Sequence, residues 1–129
     1  TVLVEGDDLN EPISDALRSI LDGHIVLSRH IAHRGQYPAI DILKSASRLM
    51  PDLANEEELA LAIKAVQVIS TLEKNRQLVD MGAYEHGSNI QLDQALRLQD
   101  KLMSFLRQKD IVPSRKIALQ ELREVLNHE

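Results

Sequence analysis

Ser45-Ala46-Ser47-Arg48-Leu49-Met50-Pro51-Asp52 divides the chain into two patterns. Before it, short apolar runs alternate with short helical signals. After it, only helical periodicity is found. Working back, Tyr37-Pro38-Ala39-Ile40-Asp41-Ile42 reads as a strand or extended segment, and His24–Arg29 as a second strand. His30–Arg34 reads as a helical turn closed by Gly35. Ile13, Leu17, Ile20 and Leu21 recur at helical spacing, with Asn10 as the expected N-cap and Pro12 in the first turn. Thr1–Glu5, apolar and β-branched, reads as a third, buried strand ended by Gly6-Asp7-Asp8. Strand and helix alternating on short loops predict the edge of a mostly parallel sheet.

Working forward, Glu56, Glu57 and Glu58 favour a helix start, because carboxylates stabilise the positive end of the macrodipole. Leu59, Ala62, Ile63, Val66, Ile69 and Leu72 predict a long amphipathic helix, followed by a shorter one around Arg76–Met81 that stops at Gly82. Ala95, Leu98, Leu102 and Phe105 mark a helix over 91–107, and Pro113-Ser114 opens a last one. The expected fold is α+β and mostly α: closing strands over 1–50, then a helical bundle over 51–129. Three strands are too few for a sheet covered on both faces. Further strands are therefore expected upstream, and an opening of Thr-Val-Leu-Val without Met fits a piece of a longer protein.

Composition excludes several functions. Aromatic residues are only 2% and the net charge is −5, so neither a base-stacking platform nor a phosphate backbone is a natural partner. The absence of Cys removes disulfides, thiol catalysis and Cys-type zinc sites, and is compatible with cytoplasm. No apolar run approaches the ~20 residues of a membrane span. Charge is nonetheless uneven. Residues 1–15 carry Glu5, Asp7, Asp8, Glu11 and Asp15 without a base, whereas 16–48 are enriched in Arg and Lys. A solvated surface explains this, as does an acidic loop that meets a basic partner.

Local motifs are weak. Gly82–Asn89 has two glycines at the spacing of a phosphate loop, but Ser88 and Asn89 stand where Lys and Ser/Thr are required, so it reads as a helix connection. His24, His30 and His33 lack a completing acid and read as surface histidines, so no metal site is assigned. Val2–Asp8 resembles a strand ending in a magnesium-holding acid, without the phosphate loop that role needs. Arg48, taken alone, reads as a surface or salt-bridge arginine.

Glu5-Gly6-Asp7-Asp8-Leu9-Asn10-Glu11-Pro12-Ile13, Leu21–Arg29 and Tyr37–Arg48 closely resemble the protein-export ATPases of flagella and type III secretion systems. Those are relatives of the α and β subunits of rotary ATP synthases. Leu78–Tyr84 and Phe105-Leu106-Arg107-Gln108 extend the resemblance more loosely. It implies the end of a RecA-like nucleotide domain followed by the C-terminal helical domain. It further implies that Arg48 enters a neighbouring subunit's active site as a finger, and that Tyr37 packs on adenine. Lys109-Asp110-Ile111-Val112 replaces the further aromatics of catalytic synthase subunits, implying a looser grip on the base. Asp7, Asp8, Asn10 and Glu11 fall on the loop that faces a central stalk.

By the same resemblance, the intact parent is a homo-hexamer that hydrolyses ATP with Mg²⁺ in the cytoplasm, at the inner-membrane face of an export apparatus. Its helical domain meets chaperone–substrate complexes and the export gate. The phosphate loop and catalytic Glu are absent from this sequence, so the chain alone is expected to be inactive and to hold no nucleotide stably. Alternative readings are a non-enzymatic helical interaction module and a non-catalytic subunit of a rotary-type ATPase.

Overall fold

A computed structural model describes residues 3–108 and 111–127. A single 3₁₀ turn, Glu5–Asp7, leads into α1 (Pro12–Ile20), β1 (Gly23–Leu27), α2 (Arg29–His33) and β2 (Ile40–Ser47). The helical part follows: α3 (Met50–Leu53), α4 (Glu56–Asp80), α5 (Ile90–Leu106) and α6 (Arg115–Leu126).

The expected mixture of a small sheet and a dominant helical bundle is what the chain forms, with two differences in the first part. β1 and β2 pair antiparallel, with Gly23 opposite Ser47 and Leu27 opposite Ile40, not parallel as the alternation suggested. Parallel pairing needs a full crossover, usually a helix of several turns. The connection here holds only the five-residue α2, so the chain doubles back. A bulge between His24 and Val26 shifts the register, and Gly23 is needed beside it, because a Cβ there would lie 2.7 Å from the Ala46 carbonyl oxygen. The strand predicted over 1–5 is not found at Leu3–Glu5, where an irregular segment enters the 3₁₀ turn. A strand needs a hydrogen-bonded neighbour, and none reaches this segment among the described residues. Thr1 and Val2 lie outside those residues.

Helix ends follow local chemistry. Glu11, rather than Asn10, caps α1: its carboxylate accepts from the Ser14 amide at 3.3 Å and the Ser14 hydroxyl at 3.0 Å. Asn10 instead donates its amide to Asp8 Oδ1 at 2.9 Å, closing the turn before the helix. Asn55 and Glu58 form a reciprocal capping box at α4, at 2.9 and 3.1 Å. Asn89 and Ser114 cap α5 and α6.

α4 runs 25 residues without the interruption predicted near Arg76. Glu73-Lys74-Asn75 contains no Gly or Pro to break it, and the Asn75 side chain bonds back to the Thr71 carbonyl at 2.8 Å. Its buried stripe also differs from the predicted one. Leu61, Ala65 and Val68 face Leu98 of α5 and Leu122 and Leu126 of α6, whereas Ile63 and Val66 are exposed. The helix is apolar on more than one side, so periodicity alone could not choose the packed side. α5 buries Leu92, Ala95, Leu98 and Leu102, one stripe at helical spacing. The acids opening α4 also hold α6: Glu58 pairs with Arg115 at 2.8 Å, Glu57 pairs with Arg123, and Lys64 Nζ caps the Leu126 carbonyl at 2.7 Å.

The C-terminal half of α4 faces β2 and α2 across a cleft of about 810 Å³ with mainly apolar walls, including Ile31, Ile42, Ile69, Leu72 and Met103. Arg34–Glu73 at 3.9 Å and Arg76–His30 at 2.9 Å bridge it. No helix among the described residues is long and apolar enough to cross a membrane.

Candidate functional site

β2 carries the two principal candidates at its ends. Tyr37 precedes it and Arg48 follows it. Eight strand residues, at about 3.3 Å each, separate them by roughly 25 Å. They cannot meet at one phosphate.

The backbone of Arg48 is fixed by its amide, which donates to the Asp22 carbonyl at 2.7 Å and extends the β1–β2 pairing by one bond. Its side chain is exposed and lies across the end of α1. Nη1 donates to the Ser19 carbonyl at 3.1 Å and Nη2 to the Arg18 carbonyl at 3.0 Å. Carbonyls in the last turn of a helix have no intrahelical donor and carry the negative end of its dipole. A forked, permanently charged guanidinium satisfies two of them at once. No carboxylate pairs with Arg48 among the described residues.

Tyr37 is 61% exposed and joined to Pro38 by a cis peptide. Its carbonyl accepts from the Gln108 amide at 2.8 Å, which brings it to the C-terminal end of α5. A smaller cavity of about 330 Å³ opens there, lined by Pro38, Phe105, Gln108, Val112 and Pro113 among others. Pro38, the residue after Tyr37, and Phe105-Leu106-Arg107-Gln108, far apart in sequence, thus line one recess. Lys109 and Asp110 lie outside the described residues, and Ile111 and Val112 are exposed.

The four acidic-loop candidates are oriented differently. Asp7, at a positive φ of 58°, pairs with Arg29 at 3.3 Å on the surface. Asp8 takes the Asn10 amide. Glu11 turns inward as the α1 cap. Only Asp7, Asp8 and Asn10 present their side chains outward. The Leu9 carbonyl accepts from Arg18 Nη2 at 2.6 Å, which fastens the turn to α1. Sequence reasoning passed over Arg18, since a main-chain acceptor leaves no mark in the residue pattern.

ATP would find in these residues an exposed ring at Tyr37 and a cation at Arg48, but no phosphate cradle. Gly82–Asn89 is a helix connection, as its residues indicated. No group of three or more His, Asp or Glu among the described residues could hold Mg²⁺ or another metal. The histidines are dispersed: His24 Nε2 lies 2.9 Å from the Lys44 carbonyl and His30 Nε2 accepts from Arg76, while His33 is exposed.

A second cluster escaped the sequence reading. Asp93, in the first turn of α5, gathers the loop before it. Its carboxylate accepts from the Tyr84 hydroxyl at 2.7 Å and the Gly87 amide at 2.9 Å, with His86 Nδ1 at 3.2 Å. The Tyr84 and His86 rings meet edge to face at 5.5 Å. The Tyr84 hydroxyl, then the Gly87 amide and His86, hold the Asp93 carboxyl below its ordinary value, against partial burial. Burial and the Asp93 carboxylate push the Tyr84 phenol upward.

A depressed carboxyl pKa contributes stability that is complete above the unfolded value and is lost as pH falls through the folded one. Amide exchange at Gly87 is therefore expected to stay protected down to the ordinary carboxylate range and to quicken below it. Asp93→Asn should expose that amide at neutral pH. Unchanged Gly87 protection in the variant would rule out Asp93 as the anchor of the loop.

Comparison with known proteins extends over both parts. Residues 1–47 match the ATP synthase alpha/beta family nucleotide-binding domain, and residues 54–127 match the T3SS EscN ATPase C-terminal domain. The flagellum-specific ATP synthase of Bacillus subtilis (strain 168) is 46% identical over 108 residues, covering 84% of this chain and 25% of that protein. The SPI-2 type 3 secretion system ATPase of Salmonella typhimurium is 42% identical over 127 residues, covering 98% and 29%.

Among solved structures, the assembled ATPase EscN of enteropathogenic E. coli superposes with a TM-score of 0.92 at 37% identity, covering 98% of this chain and 31% of that one. EscN in complex with its central stalk EscO gives 0.83 at 35% identity, covering 89% and 29%. The chain spans a quarter to a third of the length of these relatives.

Proposed function

The chain belongs to the family of the T3SS EscN ATPase C-terminal domain, and from that premise we propose that it is the C-terminal portion of a cytoplasmic, hexameric protein-export ATPase. The intact enzyme couples hydrolysis of Mg-ATP to flagellar or type III protein secretion. The portion divides into the closing edge of a RecA-like domain, 1–50, and a helical domain, 51–129, that docks chaperone–substrate complexes and faces the export gate.

The observation that carries this reading is the state of Arg48. It is exposed, follows a strand directly, and spends its fork on main-chain carbonyls instead of a carboxylate. A guanidinium so placed is free to be transferred to phosphate oxygens of an adjoining subunit. There it would stabilise the charge that develops on the transferred phosphoryl group. Tyr37, about 25 Å away along β2, would hold the adenine of this subunit's own site, next to the recess that Pro38 and Phe105 line. Bound ATP and Mg²⁺ supply the reacting phosphoryl group and its charge-neutralising cation. The cradle for both would be supplied by other residues of the intact enzyme. Asp7, Asp8 and Asn10 would face a basic central stalk, a contact weakened by salt. Glu11, which caps α1, would support that surface by holding the helix.

The test is direct. The intact gene product should hydrolyse Mg-ATP and the 129-residue chain should show no activity above buffer. An intact product that assembles but neither binds nor hydrolyses nucleotide would instead favour the non-catalytic or module readings.

A further inference from the structure

Arg18 sits between two elements assigned separate roles above. Its side chain reaches toward the N-terminal end of α1, where Nη2 donates to the Leu9 carbonyl at 2.6 Å and to Asp15 Oδ1 at 3.2 Å. Its own carbonyl, on the last turn of the same helix, accepts from Arg48 Nη2 at 3.0 Å. One residue thus joins the acidic turn, the helix and the Arg48 guanidinium. α1 is a single uninterrupted helix of nine residues, short enough to shift as one piece.

The tie at Arg18 is imperfect. Its Nε is buried without a hydrogen-bond partner among the described residues. A buried donor left unsatisfied disfavours the arrangement that buries it. Breaking the tie would return that donor to water.

We propose that Arg18 is a positioning residue for Arg48: its tie to the Leu9 carbonyl keeps α1 where the helix's last carbonyls retain the Arg48 guanidinium. A partner that engages the 7–11 turn displaces Leu9, breaks the tie and releases Arg48 toward the neighbouring subunit. This rests on the trans-acting role proposed for Arg48. It adds a reason why contact at the stalk-facing turn would change hydrolysis at a distance. The link is a physical one, a rigid helix with a bond at each end, of the kind a coupling between sites requires.

The experiment uses Arg18→Met, which keeps an apolar stem without donors, and Arg18→Lys, which restores one donor. In the chain, nitrogen-15 relaxation at Arg48 Nε reads the docking. Order parameters near 0.8 are expected for wild type and Arg18→Lys, and below about 0.6 for Arg18→Met. In the full-length enzyme, hydrolysis is measured with and without the purified stalk protein of the same export system. Arg18→Met should bring that ratio to within about twofold of unity, with Arg18→Lys recovering most of the wild-type ratio. Should Arg18→Met fail to fold, Arg18→Gln, too short to reach Leu9, takes its place.

An Arg48 as ordered in the Met variant as in wild type overturns the proposal, as does an unaltered stimulation ratio. Arg48→Ala run in parallel separates the two claims. Normal turnover in that variant defeats the finger reading itself. Lost turnover there, with an unaltered ratio in Arg18→Met, defeats only the role given to Arg18.

Discussion

Arg48→Ala in the full-length enzyme is expected to lower turnover by about 10³-fold or more while leaving nucleotide affinity nearly unchanged. Arginine fingers contribute ~10³–10⁵ in rate, roughly 4–7 kcal/mol of barrier. The docking seen here opposes this only weakly. A cation at a helix C-terminus is worth about 0.3–1 kcal/mol, reaching ~2 in favourable geometry. On the finger reading, the transition state would therefore outcompete the α1 carbonyls for the guanidinium. Arg48→Lys separates the two functions, since an ammonium can still neutralise a helix end but cannot fork onto two oxygens. It should preserve the stability of α1 and still lose most turnover. Steady-state hydrolysis and fluorescent-nucleotide binding check both variants. Near-normal turnover in Arg48→Ala would remove the finger assignment.

Leu102→Ala is expected to destabilise the helical part by about 3 kcal/mol, within the 2–5 kcal/mol span of buried Leu→Ala changes. Leu102 is fully buried, at 0% exposure, on the α5 stripe that also holds Leu92, Ala95 and Leu98. Because Leu102 is wholly enclosed, truncation leaves a cavity in place of a groove open to water. Ordinary domains are stable by only about 5–15 kcal/mol, so the loss is a large fraction of the total. Urea unfolding should show a lower midpoint at an unchanged slope. Ile63→Ala is the control: that side chain is half exposed and should cost well under 1 kcal/mol. Equal effects at the two positions would contradict the packing described.

The helical half was readable because its signals are local. Glu56-Glu57-Glu58, and Pro113 with Ser114, carry the start of a helix in two or three adjacent residues, and the Ala95–Leu98–Leu102 spacing selects the buried side of α5. The resemblance to export ATPases agrees with the matches to both families. What the residues did not disclose depended on partners distant in sequence. The direction of β2 was misread because strand composition is similar for parallel and antiparallel pairs. The packed side of α4 was misread because Ile63 and Val66 are as apolar as Leu61 and Val68. Asn10 and Glu11 are both capable of capping, and only the backbone path decides between them. Arg48 on the α1 carbonyls, Arg18 on Leu9 and the Asp93 cluster are bonds to main chain or across loops, to which periodicity is blind. The roles of Arg48 and Tyr37 came from resemblance alone; the coordinates add their surroundings.

α4 belongs to both halves of the molecule. Its first turns are clamped to α6 through Glu57, Glu58 and Lys64, and its last turns meet α2 through Glu73 and Arg76. Twenty-five residues make a beam roughly 37 Å long. Pivoted near one end, a ten-degree tilt would sweep the other through about 6 Å. Leverage of that size would let a slight rearrangement beside the strands become a stride at the far end of the helix.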